Sequence, residues 1–154
     1  MLAGSPASSI LLLEREGEKF LVGIVLVSHG PLADGLKGAA EMIVGPQPSF
    51  LTVSMGPAAD LDELRQRIEE AAAEVSGAEG ALILVDLMGG SPSNASAYLA
   101  ASGTEVVCGV SLPMLLEVLM NREGMSVQQL AELALEAGKQ GVISLTQMLT
   151  KKDA

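Results

Sequence analysis

Ala81–Asn94 reads ALILVDLMGGSPSN. Ala81–Val85 is an unbroken apolar run with no polar face, the pattern of a strand covered on both sides. The run ends at Asp86, passes a Gly89-Gly90 turn and meets Ser91-Pro92. Ser91 suits a helix N-cap and Pro92 the first helical turn. A small-residue helix follows through Ala101, and Gly103 ends it. Strand, glycine turn and helix in this order form the unit from which parallel α/β sheets are built.

The same grammar holds on either side. Val22–Val27 (VGIVLV) is a β-rich apolar run ending at Ser28-His29-Gly30. Leu36, Ala39, Ala40 and Ile43 follow at helical spacing, and Gly45-Pro46 stops that helix. Phe50–Met55 reads as a second strand. Asp60 reads as an N-cap with Glu63 three positions on, opening a helix whose apolar face is Leu61, Leu64, Ile68, Ala71, Ala72 and Val75 and which stops near Gly77. Val106, Val107 and Val110 mark a fourth strand. Pro113 opens a helix (MLLEVLM), Ser126 with Gln129 caps another that ends at Gly138, and Val142–Leu145 reads as a last short strand.

The expected fold is therefore a single α/β domain over residues 21–150. It has a central, mainly parallel sheet in the flavodoxin-like order 2-1-3-4, helices on both faces and a short C-terminal antiparallel strand. Residues 1–20 read as a poorly ordered leader or an added edge strand, without the basic start and long apolar stretch of a secretory signal. Residues 151–154 read as a polar tail.

Composition narrows the function. The chain has 154 residues, 49% of them hydrophobic, enough for one domain with a full core. Its apolar runs are far shorter than the ~20 residues of a membrane span. Aromatics are only 2%, which removes the stacking platforms of single-strand nucleic-acid binders. The formal net charge of −10 repels phosphate backbones and anionic lipid surfaces. Nucleic acid and direct membrane insertion are thus disfavoured, and a partner with a basic face is favoured. Cys108 is the sole cysteine, so an internal disulfide and a multi-thiolate zinc cage are excluded. Its place in a buried strand makes it an inert packed thiol rather than a nucleophile. A reducing cytoplasm fits.

Ligands of such sheets bind beyond the carboxyl ends of the strands, where strand order reverses. There, the order 2-1-3-4 brings His29 beside Asp86. A lone histidine is more often structural than functional, a glycine turn is often only a tight connection or a nucleotide-phosphate site, and an aspartate at a strand end often caps amides. The coincidence of all three on one rim favours function. A neutral imidazole can attack phosphorus with one nitrogen when a carboxylate holds the other. Amides of the Gly89-Gly90-Ser91 turn, the positive end of the following helix and the Ser91 hydroxyl would cradle a phosphoryl group without metal or cofactor. The acidic residues Asp62, Glu63, Glu69, Glu70 and Glu74 alternate with Arg65 and Arg67 and read as a solvated helix face. The sequence contains no P-loop stretch and no G-x-S-x-G nucleophile elbow.

Ile24–Gly30 (IVLVSHG), Ala40-Glu41-Met42, Leu84–Asn94 (LVDLMGGSPSN) and Gly109–Leu119 (GVSLPMLLEVL) together resemble the IIA component of mannose-family sugar phosphotransferase systems, from about Val22 to about Leu145. The resemblance implies a phosphocarrier. His29 would accept a phosphoryl group from phospho-HPr, on Nε2, and pass it to a IIB component, with the membrane IIC and IID subunits served indirectly. Asp86 would partner the histidine, and Ser28, Gly89, Gly90 and Ser91 would line the phosphate site. The family is dimeric, and a late strand, here Val142–Leu145, can pair across the dimer. Leu87 stands where some members carry threonine, and Met88 and Pro31 where some carry aromatics. Leu32, Met88 and Leu112 would then form an apolar rim for docking. Alternatives are the phosphotransfer subunit of dihydroxyacetone kinase, a regulatory module phosphorylated as a signal, and an anion-binding flavodoxin-like domain. Neither the sugar nor the dimer geometry is written in these residues.

Overall fold

The computed structural model describes residues 20–151. The expected leader and tail lie outside the described residues, apart from Phe20 and Lys151. Along the chain run β1 (Gly23–His29), α1 (Leu32–Val44), β2 (Phe50–Met55), α2 (Leu61–Val75), β3 (Ala81–Val85), α3 (Ser91–Ala101), β4 (Glu105–Cys108), α4 (Leu112–Asn121), α5 (Val127–Gln140) and α6 (Leu145–Thr150). The four strands form one sheet in the order β2-β1-β3-β4, and every pairing is parallel. This is the order expected from the sequence.

Strand side chains alternate between faces, and both faces are covered. Ile24, Leu26, Leu82 and Leu84 pack with residues of α1, α4 and α5, including Ala40, Leu115 and Leu130. Val25, Val27, Ile83 and Val85 pack with Leu64, Ile68 and Val75 of α2 and with Ala95 and Leu99 of α3. Each fully buried Leu, Ile or Val stabilises the fold by roughly 1.5–3 kcal/mol, which fixes β1 and β3 as the rigid centre. At Gly23 a Cβ would run into the carbonyl of Val75, so β1 starts in tight contact with the end of α2.

Three local expectations are corrected. Gly138 does not end its helix: α5 continues to Gln140, and a Cβ at Gly138 would lie 2.7 Å from the Met114 methyl. The glycine makes room for α4. Asp60 occupies the N-cap of α2 but its side chain makes no capping bond, whereas Ser126 and Gln129 form both halves of a capping box. Val142–Leu145 is not a strand. Residues 142–144 lack regular structure, and α6 begins at Leu145 with the Ser144 hydroxyl accepting the Gln147 N–H at 3.2 Å. An apolar run becomes a strand only beside a partner strand. Among the described residues none pairs with this segment, and Val142 is 87% exposed.

Candidate functional site

β1 and β3 run side by side with Val27 opposite Val85, so the residues just past that pair meet at one rim. The ladder continues one step as the Asp86 N–H donates to the Val27 carbonyl at 3.0 Å. The Asp86 carboxylate then turns back on His29. Oδ2 accepts the His29 backbone N–H at 2.9 Å and stands 2.8 Å from the ring Nδ1. A carboxylate only accepts, so Nδ1 carries the proton and the neutral ring keeps a lone pair on Nε2. The His29 side chain is 43% exposed and that of Asp86 8%. The imidazole is therefore open to a partner while its anchor is not. Oδ1 of Asp86 is buried and has no hydrogen-bond partner among the described residues.

The glycine turn closes over the other edge of the ring. A Cβ at Gly90 would stand 2.7 Å from Cε1 and 3.0 Å from Nε2 of His29. Only glycine leaves the ring where it is. Gly89, at φ +89°, occupies backbone space that side chains disfavour. Gly90, not Ser91, is the N-cap of α3. Ser91 is the first helical residue, exposed, with its hydroxyl unengaged among the described residues. The amides of Gly90 and Ser91 likewise meet no protein acceptor among the described residues.

Two expected site residues are turned elsewhere. The Ser28 hydroxyl accepts the Ala33 N–H at 2.7 Å and donates to the Gly30 carbonyl at 3.2 Å. It is buried on the α1 face, opposite His29 along the strand, and braces the β1–α1 turn rather than facing the rim. The Gly89 N–H donates to the Ser93 hydroxyl at 2.9 Å, so it too is occupied within the chain. Ser93 went unread in the sequence. With Ser91 as the expected N-cap the turn needs no further group; once Gly90 takes that place and has no side chain to cap with, another group must tie the turn.

Around the rim, Leu32 is 49%, Leu87 58% and Met88 81% exposed. Leu112, expected with them, instead packs against the core. Cys108 ends β4, and burial followed by the nearby Asp86 charge pushes its thiol pKa up, consistent with an unreactive thiol. On α2, Arg65 donates to Glu69 at 2.9 Å and lies over the Tyr98 ring, and the neighbouring acids are exposed. Among the described residues no group of three or more His, Cys, Asp or Glu side chains is placed to hold a metal ion. No described helix is long and apolar enough to cross a membrane.

Comparison with known proteins gives this site a family. Residues 23–135 match the family model of the PTS system fructose IIA component. The PTS system sorbose-specific EIIA component of Lacticaseibacillus casei is 38% identical over 129 residues, covering 82% of this chain and 93% of the relative. The mannose-specific EIIAB component of Escherichia coli (strain K12) is 35% identical over 86% of this chain, but the match spans only 42% of that longer protein. Among solved structures, the mannose/sorbose specific IIA subunit from Enterococcus faecalis aligns with a TM-score of 0.73 at 26% identity, over 81% of this chain and 95% of that one. The phosphotransferase system component EIIA from Streptococcus agalactiae aligns with a TM-score of 0.76 at 23% identity, over 82% and 99%, which speaks for the fold alone. The chain belongs to the fructose, mannose and sorbose family of IIA components of sugar phosphotransferase systems.

Proposed function

We propose that this chain is a phosphocarrier that loads a phosphoryl group onto Nε2 of His29 from phospho-HPr and unloads it onto a separate IIB component. The reading rests above all on the 2.8 Å contact between Nδ1 of His29 and Oδ2 of Asp86. That contact leaves Nε2 as the nucleophilic nitrogen at the open rim. The Nε2 lone pair attacks phosphorus, the N–P bond of the donor's phosphohistidine breaks, and its electron pair returns to the donor nitrogen. The proton on Nδ1 stays in the bond to Asp86, whose charge offsets the positive charge growing on the ring. One N–P bond replaces another, so the exchange is close to thermoneutral and positioning is the main task. The Gly90 and Ser91 amides and the Ser91 hydroxyl would receive the phosphoryl oxygens at the positive end of α3.

The net charge of −10 suits a basic face on HPr, and Leu32, Leu87 and Met88 offer a dry centre for a transient contact. The carrier works in the cytoplasm, and the IIC and IID subunits receive its phosphoryl group only through IIB. It acts as a homodimer. In support, Val142, Ile143, Leu145, Met148 and Leu149 are all more than half exposed, a cluster that a second copy would cover.

The test supplies phosphoenolpyruvate, enzyme I and HPr and follows acid-labile, alkali-stable phosphate on the protein. Wild type takes the label and loses it to a IIB component. His29→Ala takes none. Full-rate labelling without His29 would remove the proposal.

A further inference from the structure

The hydroxyl of Ser93 makes two bonds at the turn beside His29. It accepts the Gly89 N–H at 2.9 Å and donates to the Gly90 carbonyl at 2.9 Å. Ser93 is the third residue of α3, counted from the Gly90 N-cap. A side chain at an N-cap normally reaches forward to tie the helix start. Gly90 has none, so the third helical residue reaches back instead and ties the turn to the helix. The same Gly90 carbonyl also accepts the Asn94 N–H at 2.9 Å. These bonds hold Gly89 at φ +89° and hold Gly90 against Cε1 and Nε2 of the ring.

We propose that Ser93 is a positioning residue for the phosphoryl transfer: its hydroxyl fixes the Gly89-Gly90 backbone at the edge of His29. The clamp has two consequences. It removes the Gly89 N–H from the set of phosphate donors, leaving the Gly90 and Ser91 amides to meet the phosphoryl oxygens. It also keeps the turn from drifting over Nε2, where a displacement of about 1 Å can cost a rate ~100-fold. Without the hydroxyl, Gly89 and Gly90 have no side chain to hold them, and glycine is the residue with the most backbone freedom.

This inference rests on the phosphocarrier reading, and the experiment separates the two. Single-turnover transfer from phospho-HPr is measured over a range of donor concentrations for wild type, Ser93→Ala and Ser93→Thr, with thermal midpoints and amide hydrogen exchange at Gly89. Ser93→Ala should lower the saturating transfer rate about tenfold or more with the donor concentration at half-maximum unchanged. Its Gly89 amide should exchange faster. Ser93→Thr keeps a hydroxyl and should recover most of the rate. Transfer by Ser93→Ala at the wild-type rate overturns the inference and leaves the phosphocarrier reading standing. So does a threonine variant that folds as wild type yet stays as slow as alanine. A wild-type chain that takes no label from phospho-HPr overturns both.

Discussion

The two ends of the sheet each hold a polar side chain against strand termini. At the amino end the Arg122 guanidinium, only 2% exposed, donates to the carbonyls of Val22 (3.4 Å), Pro48 (2.6 Å) and Ser49 (3.1 Å) and to Oε1 of Gln47 (3.3 Å). Burial lowers its pKa, and its partners are dipoles rather than a carboxylate. At the carboxyl end the Asp86 carboxylate directs both its bonds through one oxygen, and among the described residues its other oxygen has no partner and the Gly90 and Ser91 amides and the Ser91 hydroxyl across the ring are open. A buried cation surrounded by acceptors is a fastener. A half-satisfied cluster at an accessible rim retains capacity for an incoming group, and leaving its buried unpaired atom, Asp86 Oδ1, without a partner costs about 1–3 kcal/mol. The difference suggests where function resides before any chemistry is measured.

Exchanging roles between the two ends should fail in opposite ways. The largest effect falls on transfer: Asp86→Asn should slow labelling of His29 by roughly 10³-fold, since an amide no longer holds the ring in one tautomer with compensating charge. Its thermal midpoint should move little. A rate within tenfold of wild type would remove the carboxylate from the mechanism. Next, Gly90→Ala should slow labelling about 100-fold by displacing the ring from beneath the new methyl, read by the same assay. Arg122→Met should do the reverse. Denaturant unfolding should show a loss of about 2–4 kcal/mol from carbonyls left without donors, while the folded fraction labels at the normal rate. If it unfolds no more easily than wild type, the fastener view is lost.

Two smaller effects sharpen the contrast. Replacing Ile143 and Leu145 with Asp should weaken self-association in sedimentation runs and leave His29 competent. Alkylation of Cys108 near neutral pH should be slower than that of a free thiol, because its raised pKa lowers the thiolate fraction. The rate should rise with pH through that raised value, and Asp86→Asn should speed the reaction several-fold at most, since burial is the larger cause.

Much of the carboxyl end was legible because its chemistry is written at strand ends. Apolar runs mark β1 and β3; Asp86 follows the second directly, and the sole histidine stands two positions past the apolar run of the first. What escaped is bonding that local pattern does not encode. Ser28 and Ser93 look alike as small polar residues near the turns, yet one braces a buried corner and the other grips the glycines. Arg122 sits in Asn121-Arg122-Glu123, a polar triplet whose composition gives no sign of burial. Its partners lie around residue 48 and at Val22, visible only once the sheet has formed. Val142–Leu145 has a strand's composition and, among the described residues, no neighbouring strand to make it one.

The reach of Arg122 bears on how the polypeptide is made. Its bond to the Val22 carbonyl closes a separation of 100 residues, and those to Gln47, Pro48 and Ser49 span 73–75. During synthesis the segment leading into the edge strand waits for this late arginine to leave the ribosome before it can be locked. At ~5–20 residues per second that is a delay of several seconds. Over that interval the nascent chain exposes an unfinished sheet to whatever chaperones attend it.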